Sequence, residues 1–390
     1  MSAEEWIHFK RHAKRVRKLS WTAIVPEKVT RSWLTFLEIM KDHYGDRPAF
    51  PHVHTLSVDT YAMEVPGYFT LVAPSGLQKL TIQKSTYFGL TDLIYGASVL
   101  QKIHSSIQSI QTLNLDTSLY LEERALKIIS KMPHLQRLTL AANIKPEEID
   151  GLYNPSYLTF PALRELQLTL GPSSTSGDPS DTCITTRLFL RLISSGSLEK
   201  LNICHTGLVP VLDTLGKMID AIVQFSPTLQ DCSLKIAHPE PHDHSPTTII
   251  PFSVFLPLVF AAHTSLSHLD FSTMPLDVRK MDLDVFQRGF PNLNLLYLGG
   301  MHPASRTDLC VADVAAIVAR CPRLAALSMP LPCIGAALGE SDDIQPTMST
   351  LKELTFGTHG EEDDGESELS KVLDEAERLF PCADIGTAED

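Results

Sequence analysis

The chain has 390 residues, 43% hydrophobic and 20% charged, which is globular composition and excludes a wholly disordered chain. Its 26 prolines and 20 glycines show no collagen-like period. The net charge is −13, of which the region 361–390 contributes −10 through twelve acids and two basic residues. Such a charge disfavours general nucleic-acid binding, because an acidic surface repels phosphate, and we expect no nucleic-acid partner.

The compartment of the protein is indicated by its N-terminus, its apolar stretches and its cysteines. The N-terminus has no apolar segment of the secretory type. The longest apolar stretch, 249–262, is broken by Pro251 and Pro257 and is too short to span a bilayer. Seven cysteines without a Cys-x-x-Cys pair favour a reducing compartment. We therefore expect a cytoplasmic or nuclear protein without membrane contact.

The first fifty residues contain no repeat phrase and predict a helical N-terminal cap or linker over 1–50. An apolar stripe on a basic helix is formed by Trp6, Phe9, Ala13, Val16 and Leu19. A second helix is indicated by Trp33, Phe36, Leu37 and Met40.

From residue 51 onward one phrase recurs, L-x-x-L-x-L, often preceded by Phe-Pro or Cys-Pro. The first anchors of the first and last copies, Val53 and Leu351, lie 298 residues apart over ten intervals, a mean period of about 30 that is at or just beyond the usual range of leucine-rich repeats. The middle anchors of the eleven copies are Leu56, Leu80, Leu113, Leu138, Leu166, Leu201, Cys232, Leu269, Leu296, Leu327 and Leu354.

The last two anchors of each phrase stand two residues apart, so they face one side of a short strand. A single repeat cannot bury them, whereas stacked repeats can. The sequence therefore predicts an α/β leucine-rich-repeat solenoid, a horseshoe with a parallel sheet on the concave side and helices on the convex side. We expect about eleven repeats over 51–358.

Helices are expected on the return paths between strands. After Leu115, a helical face predicts a helix with Ser118 as its cap and Pro133 as its end. A second helix is predicted with Thr307 or Asp308 as cap and Pro322 as end.

The C-terminal region 359–390 predicts an acidic loop followed by a capping helix that shields the last open core. Ser367 is placed to cap this helix. Its apolar face is predicted to comprise Leu369, Val372, Leu373, Ala376, Leu379 and Phe380.

The segment Trp6 to Leu19, with a helix after it and the Phe-Pro-x-Leu and Cys-Pro-x-Leu openings, resembles a large fungal, basidiomycete-type family of F-box-like leucine-rich-repeat proteins. The resemblance covers nearly the whole chain and implies a substrate-recognition role in a Skp–cullin–F-box ubiquitin ligase. In that family the F-box precedes the segment that matches Trp6 to Leu19. We expect the F-box to be missing here, because only five residues precede Trp6. The segment Ile24 to Leu37 has a faint Pro-Glu echo of an F-box start, but it lies where the family has its linker helix, so we do not interpret it as an F-box.

No catalytic motif is present: the sequence has no GxGxxG, GxxxxGK[ST], GxSxG or HExxH. The Gly171–Asp181 segment lacks a phosphate-binding lysine and is interpreted as a loop. The His238–His244 run has metal-ligand residue types, but no second cluster completes a site, so we interpret it as a polar loop. Cys232 and Cys321 occupy expected core positions. We expect no enzyme activity, no cofactor and no bound metal.

The residues flanking the anchors point away from the core and form a mostly polar concave face. The ninth and tenth repeats differ, because they place apolar Leu295, Tyr297, Ala326 and Pro330 there, rimmed by His268, Asp270 and Glu353. One interpretation is a contact hot spot. The other is a scatter of exposed apolar residues, or an open edge that folds over them. The candidate partner-binding residues are Leu295, Tyr297, His268 and Asp270.

These patterns predict a non-enzymatic protein-interaction module that binds an unknown protein on its concave face and is a monomer outside complexes. A Skp-type adaptor is a partner only if an F-box exists. The alternative is a stand-alone binding scaffold or truncated product with no link to ubiquitin ligation. A hydrolase or transferase on a repeat scaffold is a third hypothesis, with no catalytic motif in its favour.

Overall fold

The computed structural model describes residues 3–21, 27–45, 47–59, 69–83, 108–120, 123–150, 152, 159–171, 180–206, 211–237, 248–332, 350–357 and 365–388. The chain divides into two compact units. The first comprises Met1–Ser176 and Leu188–Ser195, and the second comprises Gly177–Arg187 and Gly196–Asp390. The predicted boundaries of the caps and the solenoid, near residues 50 and 358, stay predictions.

The first unit is built on parallel strands that pair in chain order. They are β1 (Lys18–Trp21), β2 (Thr55–Asp59), β3 (Lys79–Gln83), β4 (Thr112–Tyr120), β5 (Arg137–Asn143) and β6 (Glu165–Leu170). Its helices are α1 (Ala3–Ala13), α2 (Glu27–Tyr44), α3 (Phe69–Val72), α4 (Glu123–Ser130) and α5 (Pro146–Asp150). Helix α6 (Ser180–Leu192) has its first part in the second unit and its last part in the first.

The second unit has its own series of parallel strands. In pairing order these are β7 (Lys200–Thr206), β8 (Asp231–Ala237), β10 (His268–Asp270), β12 (Leu295–Tyr297), β14 (Ala326–Pro330), β15 (Glu353–Gly357) and β16 (Asp384–Ala388). A small second parallel sheet contains β9 (Ile250–Pro251), β11 (Leu276–Val278) and β13 (Arg306–Thr307). The helices are α7 (Leu212–Val223), α8 (Leu256–Ala262), α9 (Val311–Arg320) and α10 (Gly365–Leu379), with 3-10 turns at Phe252–Phe255 and Lys280–Arg288.

The predicted strands are confirmed: each of the eleven middle anchors lies in one of these strands and has a relative exposure of 2% or less. The parallel register sets the anchors side by side, Leu56 beside Leu80 and Leu80 beside Leu113 in the first unit. In the second unit Leu269 lies beside Leu296 in the same way. Both units are therefore α/β with parallel strands, as the repeat phrase predicted.

A backbone hydrogen-bond ladder fixes this register. The carbonyl of His54, just before β2, accepts the N–H groups of Gln78 and Lys79, at 2.9 Å each. The corresponding carbonyls of other repeats also accept two N–H groups each: Arg17, Gln78, Gln111, Gln136, Glu199, Gln230, Ser267, Asn294 and Ala325. Buried backbone groups need such partners, so the ladder satisfies each repeat through the next one.

Hydroxyl side chains reinforce the stack at positions that the sequence reading did not single out. Ser109, directly before a first anchor, donates to the carbonyl of Leu77, the first anchor of the preceding repeat, at 2.8 Å. Thr350 donates to the carbonyl of Leu324 in the same relation, at 3.0 Å. A Ser or Thr before the first anchor thus has a structural role, because its hydroxyl donates a hydrogen bond to a carbonyl of the neighbouring repeat.

The N-terminal prediction holds only in part. Helix α2 is confirmed, with Leu37 and Met40 buried. Helix α1, however, ends at Ala13, and the chain then forms β1, in which Leu19 lies beside Leu56. Extending the first helix through Leu19 was therefore wrong, because Val16 and Leu19 begin a further copy of the repeat phrase rather than a helical stripe.

The predicted helix caps are also corrected. Ser118 lies inside β4, so it caps no helix. Thr307 lies in β13, and the residue preceding α9 is Cys310, not Thr307 or Asp308. The Asp313 carboxylate accepts the N–H of Cys310 at 3.0 Å and thereby closes a capping box at the start of α9.

At the C-terminus the predicted helix is present as α10. Its buried side chains include Val372, Ala376 and Leu379, as predicted. The helix begins at Gly365, so Ser367 lies inside it and the prediction that Ser367 caps it was wrong. The additional strand β16 follows it and pairs with β15, which places Ile385 beside Leu354. The last core is therefore extended by one more strand as well as by a helix.

One inward position of β7 carries a polar side chain. His205 is 5% exposed and packs against α6. The Thr186 hydroxyl donates to the carbonyl of Thr182 at 2.8 Å, so its oxygen is free to accept from Nε2 of His205 at 3.2 Å. Nδ1 lies 3.4 Å from the Thr182 hydroxyl and 3.7 Å from the Cys183 sulfur. The ring is thus satisfied in its neutral form.

Burial sets the protonation of this cluster. It lowers the pKa of His205 to about 4 and raises the pKa of the Cys183 thiol to about 12. Burial also raises the pKa of Cys232 and of Cys321 to about 12, so these thiols are inert core residues, as predicted from their positions. The Cys183–His205 neighbourhood is therefore a neutral packing contact rather than a nucleophile–base pair.

The buried His205 should make stability depend on pH. Its pKa is lower in the folded chain than its ordinary value near 6.5, so the unfolded chain binds the extra proton more readily. The free energy of unfolding therefore keeps its full value with respect to His205 above pH 6.5. It decreases as the pH falls from 6.5 toward 4, by about 3 kcal/mol in all. Urea unfolding across this range should show a flatter profile for His205→Gln than for the exposed control His134→Gln. Equal slopes would contradict the neutral buried assignment.

The stacked core predicts a sharp contrast between adjacent residues of β5. Leu138 is 1% exposed, and Leu138→Ala should lower the free energy of unfolding by about 2–5 kcal/mol through lost burial and a cavity. Thr139 points to the opposite face, so Thr139→Ala should cost little. Denaturant titration of both variants checks this, and similar small losses would show that the assigned faces are wrong.

Candidate protein-binding surface

Strands β10 and β12 bring the four predicted partner-binding residues together. The register places His268 beside Leu295 and Asp270 beside Tyr297. Side chains alternate along a strand, so all four lie on the face opposite the buried anchors. The rings of His268 and Tyr297 meet edge to face, with centroids 6.0 Å apart at 82°. The predicted grouping is therefore real, while its role in binding stays a prediction.

The apolar spot is smaller than the sequence suggested. Leu295 and Tyr297 are partly exposed, but Ala326 is only 4% exposed and Pro330 is also buried. The expectation that Ala326 and Pro330 are available to a partner is therefore wrong. Tyr297 and Leu295 remain as the accessible apolar part of the face.

The turn that follows β12 lies directly against the neighbouring strands. Gly299 has a φ of +71°, which favours glycine, and its N–H bonds to the carbonyl of Phe271 at 3.1 Å. A Cβ added to Gly357 of β15 would lie 2.0 Å from the carbonyl oxygen of Gly300, and one added to Gly300 would lie 2.4 Å from the Ser328 hydroxyl. Two chain segments can approach this closely only because these positions lack side chains.

Asp270 is a saturated carboxylate rather than an available one. It is 5% exposed, lies 2.7 Å from the Lys235 ammonium, and accepts hydrogen bonds from the Ser233 hydroxyl at 3.2 Å and the Ser272 N–H at 3.0 Å. Burial pushes its pKa upward, but the bonds from Lys235 and Ser272 outweigh this and lower the pKa overall. Asp270 thus remains ionised, and its bonds to Lys235, Ser233 and Ser272 hold the strand face in place beside Tyr297.

Tyr297 stands in a negative environment. Burial raises the pKa of its phenol, and the charges of Glu353 and Asp270 raise it further, so the hydroxyl stays protonated. Glu353 is exposed on β15 and lies in register beside Asp384 of β16. Within the described part of the chain, neither Glu353 nor Asp384 takes part in an ion pair.

Two buried polar atoms on this face have no hydrogen-bond partner among the described residues. They are Nε2 of His268 and the hydroxyl oxygen of Ser328. Ser328 is 5% exposed and lies in register between Tyr297 and Thr355. A buried hydroxyl without a partner lowers stability. The sequence pattern did not predict such a group at this position.

Other sequence candidates are not brought into a site. The His238–His244 run and positions 172–179 of the Gly171–Asp181 loop lie outside the described residues. Across the described ranges no group of three or more His, Cys, Asp or Glu side chains is arranged to hold a metal ion. Among the helices described, none has the length and apolar character needed to cross a bilayer.

A scan of the chain against protein-family models finds no match, and a search of curated proteins finds no significant relative. Function therefore has to be argued from the geometry and chemistry of this face.

Removal of the unpartnered hydroxyl should not weaken the fold. Ser328→Ala is expected to leave stability unchanged or to raise it by about 1 kcal/mol, because a buried polar group without a partner is removed. Thr355→Ala, at the neighbouring position in register, is the control. Urea unfolding measures both, and a loss clearly greater for Ser328→Ala would show that its hydroxyl has a partner.

Proposed function

We propose that this protein is a non-enzymatic protein-binding module, built as a leucine-rich-repeat horseshoe whose strand face is the concave binding surface. The eleven anchored strands and the doubled carbonyl ladder support the repeat architecture. The observation that carries the binding role is the partly exposed Tyr297, set beside Leu295 on an otherwise polar face. Aromatic side chains of this kind contribute much of the energy at protein interfaces.

The Cys183 sulfur and Nδ1 of His205 lie 3.7 Å apart, but this pair is not suited to nucleophilic catalysis. Cys183 is near a histidine, but its thiol is protonated and His205 is a weak base, with a pKa of about 4. A nucleophile needs a lowered pKa or an active base. The hydrolase or transferase alternative gains no support from this pair.

The resemblance to F-box-like leucine-rich-repeat proteins suggests that the module recognises substrates for a Skp–cullin–F-box ubiquitin ligase in the cytoplasm or nucleus. The alternative is a stand-alone scaffold, a monomer until it meets its partner. Ile24 to Leu37 overlaps helix α2, whose Leu37 and Met40 are buried in the protein itself. A pull-down with the purified Skp adaptor separates the two: capture supports the ligase subunit, and no capture supports the scaffold.

Tyr297 should be a major contact for the bound protein. Tyr297→Ala is expected to weaken binding by about 1 kcal/mol or more, because a large, partly buried ring loses its contact area. Proximity labelling identifies the partner, and calorimetry then compares the variant with the unmodified chain.

The control for this measurement is Thr81→Ala on β3, an outward position in the first unit that should bind almost normally. Equal affinities of the Tyr297 and Thr81 variants would remove Tyr297 from the interface. A change in melting temperature for Tyr297→Ala would instead indicate a structural role.

A further inference from the structure

The first strand of the first unit and the last strand of the second unit each have one edge without a partner strand. Among the residues that the structure describes, β1 pairs only with β2, and β16 pairs only with β15. The free edge of a strand presents backbone N–H and C=O groups that can pair with another strand. Both edges can therefore accept one more strand.

The anchors of these two strands are also incompletely covered. Leu19 of β1 and Ile385 of β16 occupy the inward middle position, in register beside Leu56 and Leu354. Leu19 and Ile385 are half-buried, whereas Leu56 and Leu354 are 0% exposed. A further repeat packed on either end would remove this apolar surface from water.

The carbonyl ladder can continue across such a contact. The carbonyl of Arg17, just before β1, accepts the N–H groups of His54 at 2.9 Å and Thr55 at 3.3 Å. The equivalent carbonyl before β16 is that of Ala383, because the N–H of Asp384 bonds to the preceding rung of the ladder. The N–H groups of Arg17 and Lys18 are the donors that would match the Ala383 carbonyl in a following repeat.

Lys18 and Asp384 are the first residues of β1 and β16, and both side chains are exposed. No described residue forms an ion pair with either of them. Asp384 instead lies beside Glu353 in register, and like charges at opposite positions of neighbouring strands repel. Elsewhere the same strand position carries cross-strand ion pairs, which are Arg137–Glu165 at 3.1 Å and Lys200–Asp231 at 2.8 Å.

The wider charges of the two ends are opposite as well. Residues 10–18 hold six basic residues and no acid, whereas residues 361–390 contribute −10. Opposite charges attract unlike ends of two copies, while two like ends repel each other. The placement of charge therefore favours one arrangement of two copies over the others, although the net charge of the chain is −13.

We propose that copies of this chain associate head to tail, with β16 of one copy pairing in parallel with β1 of the next. The register of the sheet then places Asp384 beside Lys18 and Ile385 beside Leu19. The contact forms an ion pair, covers both open anchors and extends the ladder by one rung. This goes beyond the proposed function and departs from the expectation of a monomer. It uses strand edges, so the outward side of Tyr297 stays available to a protein partner.

A contact between two different surfaces leaves one of each kind free, so further copies can add. Sedimentation velocity of the full chain should therefore show a weight-average mass above the 43.2 kDa of one copy. This mass should rise as the protein concentration increases to about 100 µM, the range of a weak interface. It should fall when salt is raised from about 0.05 M to about 0.5 M, because salt screens exposed charges.

Charge reversal tests the assigned pair. Lys18→Asp places two carboxylates at the contact, and Asp384→Lys places two ammonium groups there. Each variant alone should raise the dissociation constant about fivefold or more. An equal mixture of the two variants should recover the association, because each β1 then meets a β16 of opposite charge. Recovery in the mixture also shows that neither variant is misfolded.

Two exposed positions supply matched controls. Lys14→Asp and Glu377→Lys change the net charge by the same amounts, outside β1 and β16. Each should have less than half the effect of the corresponding reversal in the strand. A carbodiimide, which joins an amine directly to a carboxyl group, should link Lys18 to Asp384. In a mixture of unlabelled and ¹⁵N-labelled copies, mass spectrometry should find linked peptides that combine the two isotopes.

A single species of one copy at every concentration would overturn the proposal. So would reversals no stronger than their controls, an unrecovered mixture, or linked peptides of one isotope only. The partner-binding role is tested separately by Tyr297→Ala. If the chain remains a monomer and Tyr297→Ala weakens the captured partner, the binding function stands and the head-to-tail contact fails.

Discussion

The structure depends on one constraint, which is that no repeat can bury its own anchors. A strand of three to nine residues offers only a few inward side chains, and these are covered by the strands on either side. The carbonyl ladder couples this packing to hydrogen bonding, because the carbonyl oxygen before a strand accepts hydrogen bonds from two N–H groups of the next repeat. A shift by one residue would break the ladder and would also turn the anchors out of the core. Packing and register are therefore enforced together.

The same constraint organises the outer face. Once the register is fixed, each outward residue has a fixed neighbour on the next strand, as Asp270 has Tyr297 and Tyr297 has Ser328. Ion pairs such as Lys200–Asp231 then form across strands with little further ordering. A surface of this kind is preorganised, so a partner loses less entropy when it binds. The buried leucines make the outer face rigid, and the outward residues provide the groups that can contact a partner.

Much of the fold could be predicted from sequence, because the anchors recur with a period and each anchor has one role. The predictions were wrong where a segment fitted both the helical period and the repeat phrase. Elements were missed where a strand was too short to show any period. Val16 and Leu19 fit both a helical stripe and the repeat phrase, and pairing with β2 decided for the strand. Phe380-Pro381 before β16 has the same form as Phe160-Pro161 before β6, a signal that could have revealed the last strand. Strands of two or three residues in the small second sheet have no period to detect.

The candidate face shows where prediction from sequence ends. Alternation along the strands is local, so it placed His268 and Tyr297 on one side correctly. The burial of Ala326 depends instead on tertiary contacts, and the paired glycines after β12 are the sequence signal that points to a close approach there. Those contacts leave the Ser328 hydroxyl without a hydrogen-bond partner among the described residues, and a buried hydroxyl in that state lowers stability. A fold chosen for stability alone would place alanine there. The chain itself covers this hydroxyl, because a Cβ on Gly300 would lie 2.4 Å from the Ser328 oxygen, so the close approach of the turn closes this part of the face to a partner and leaves Tyr297 and Leu295 as its accessible residues.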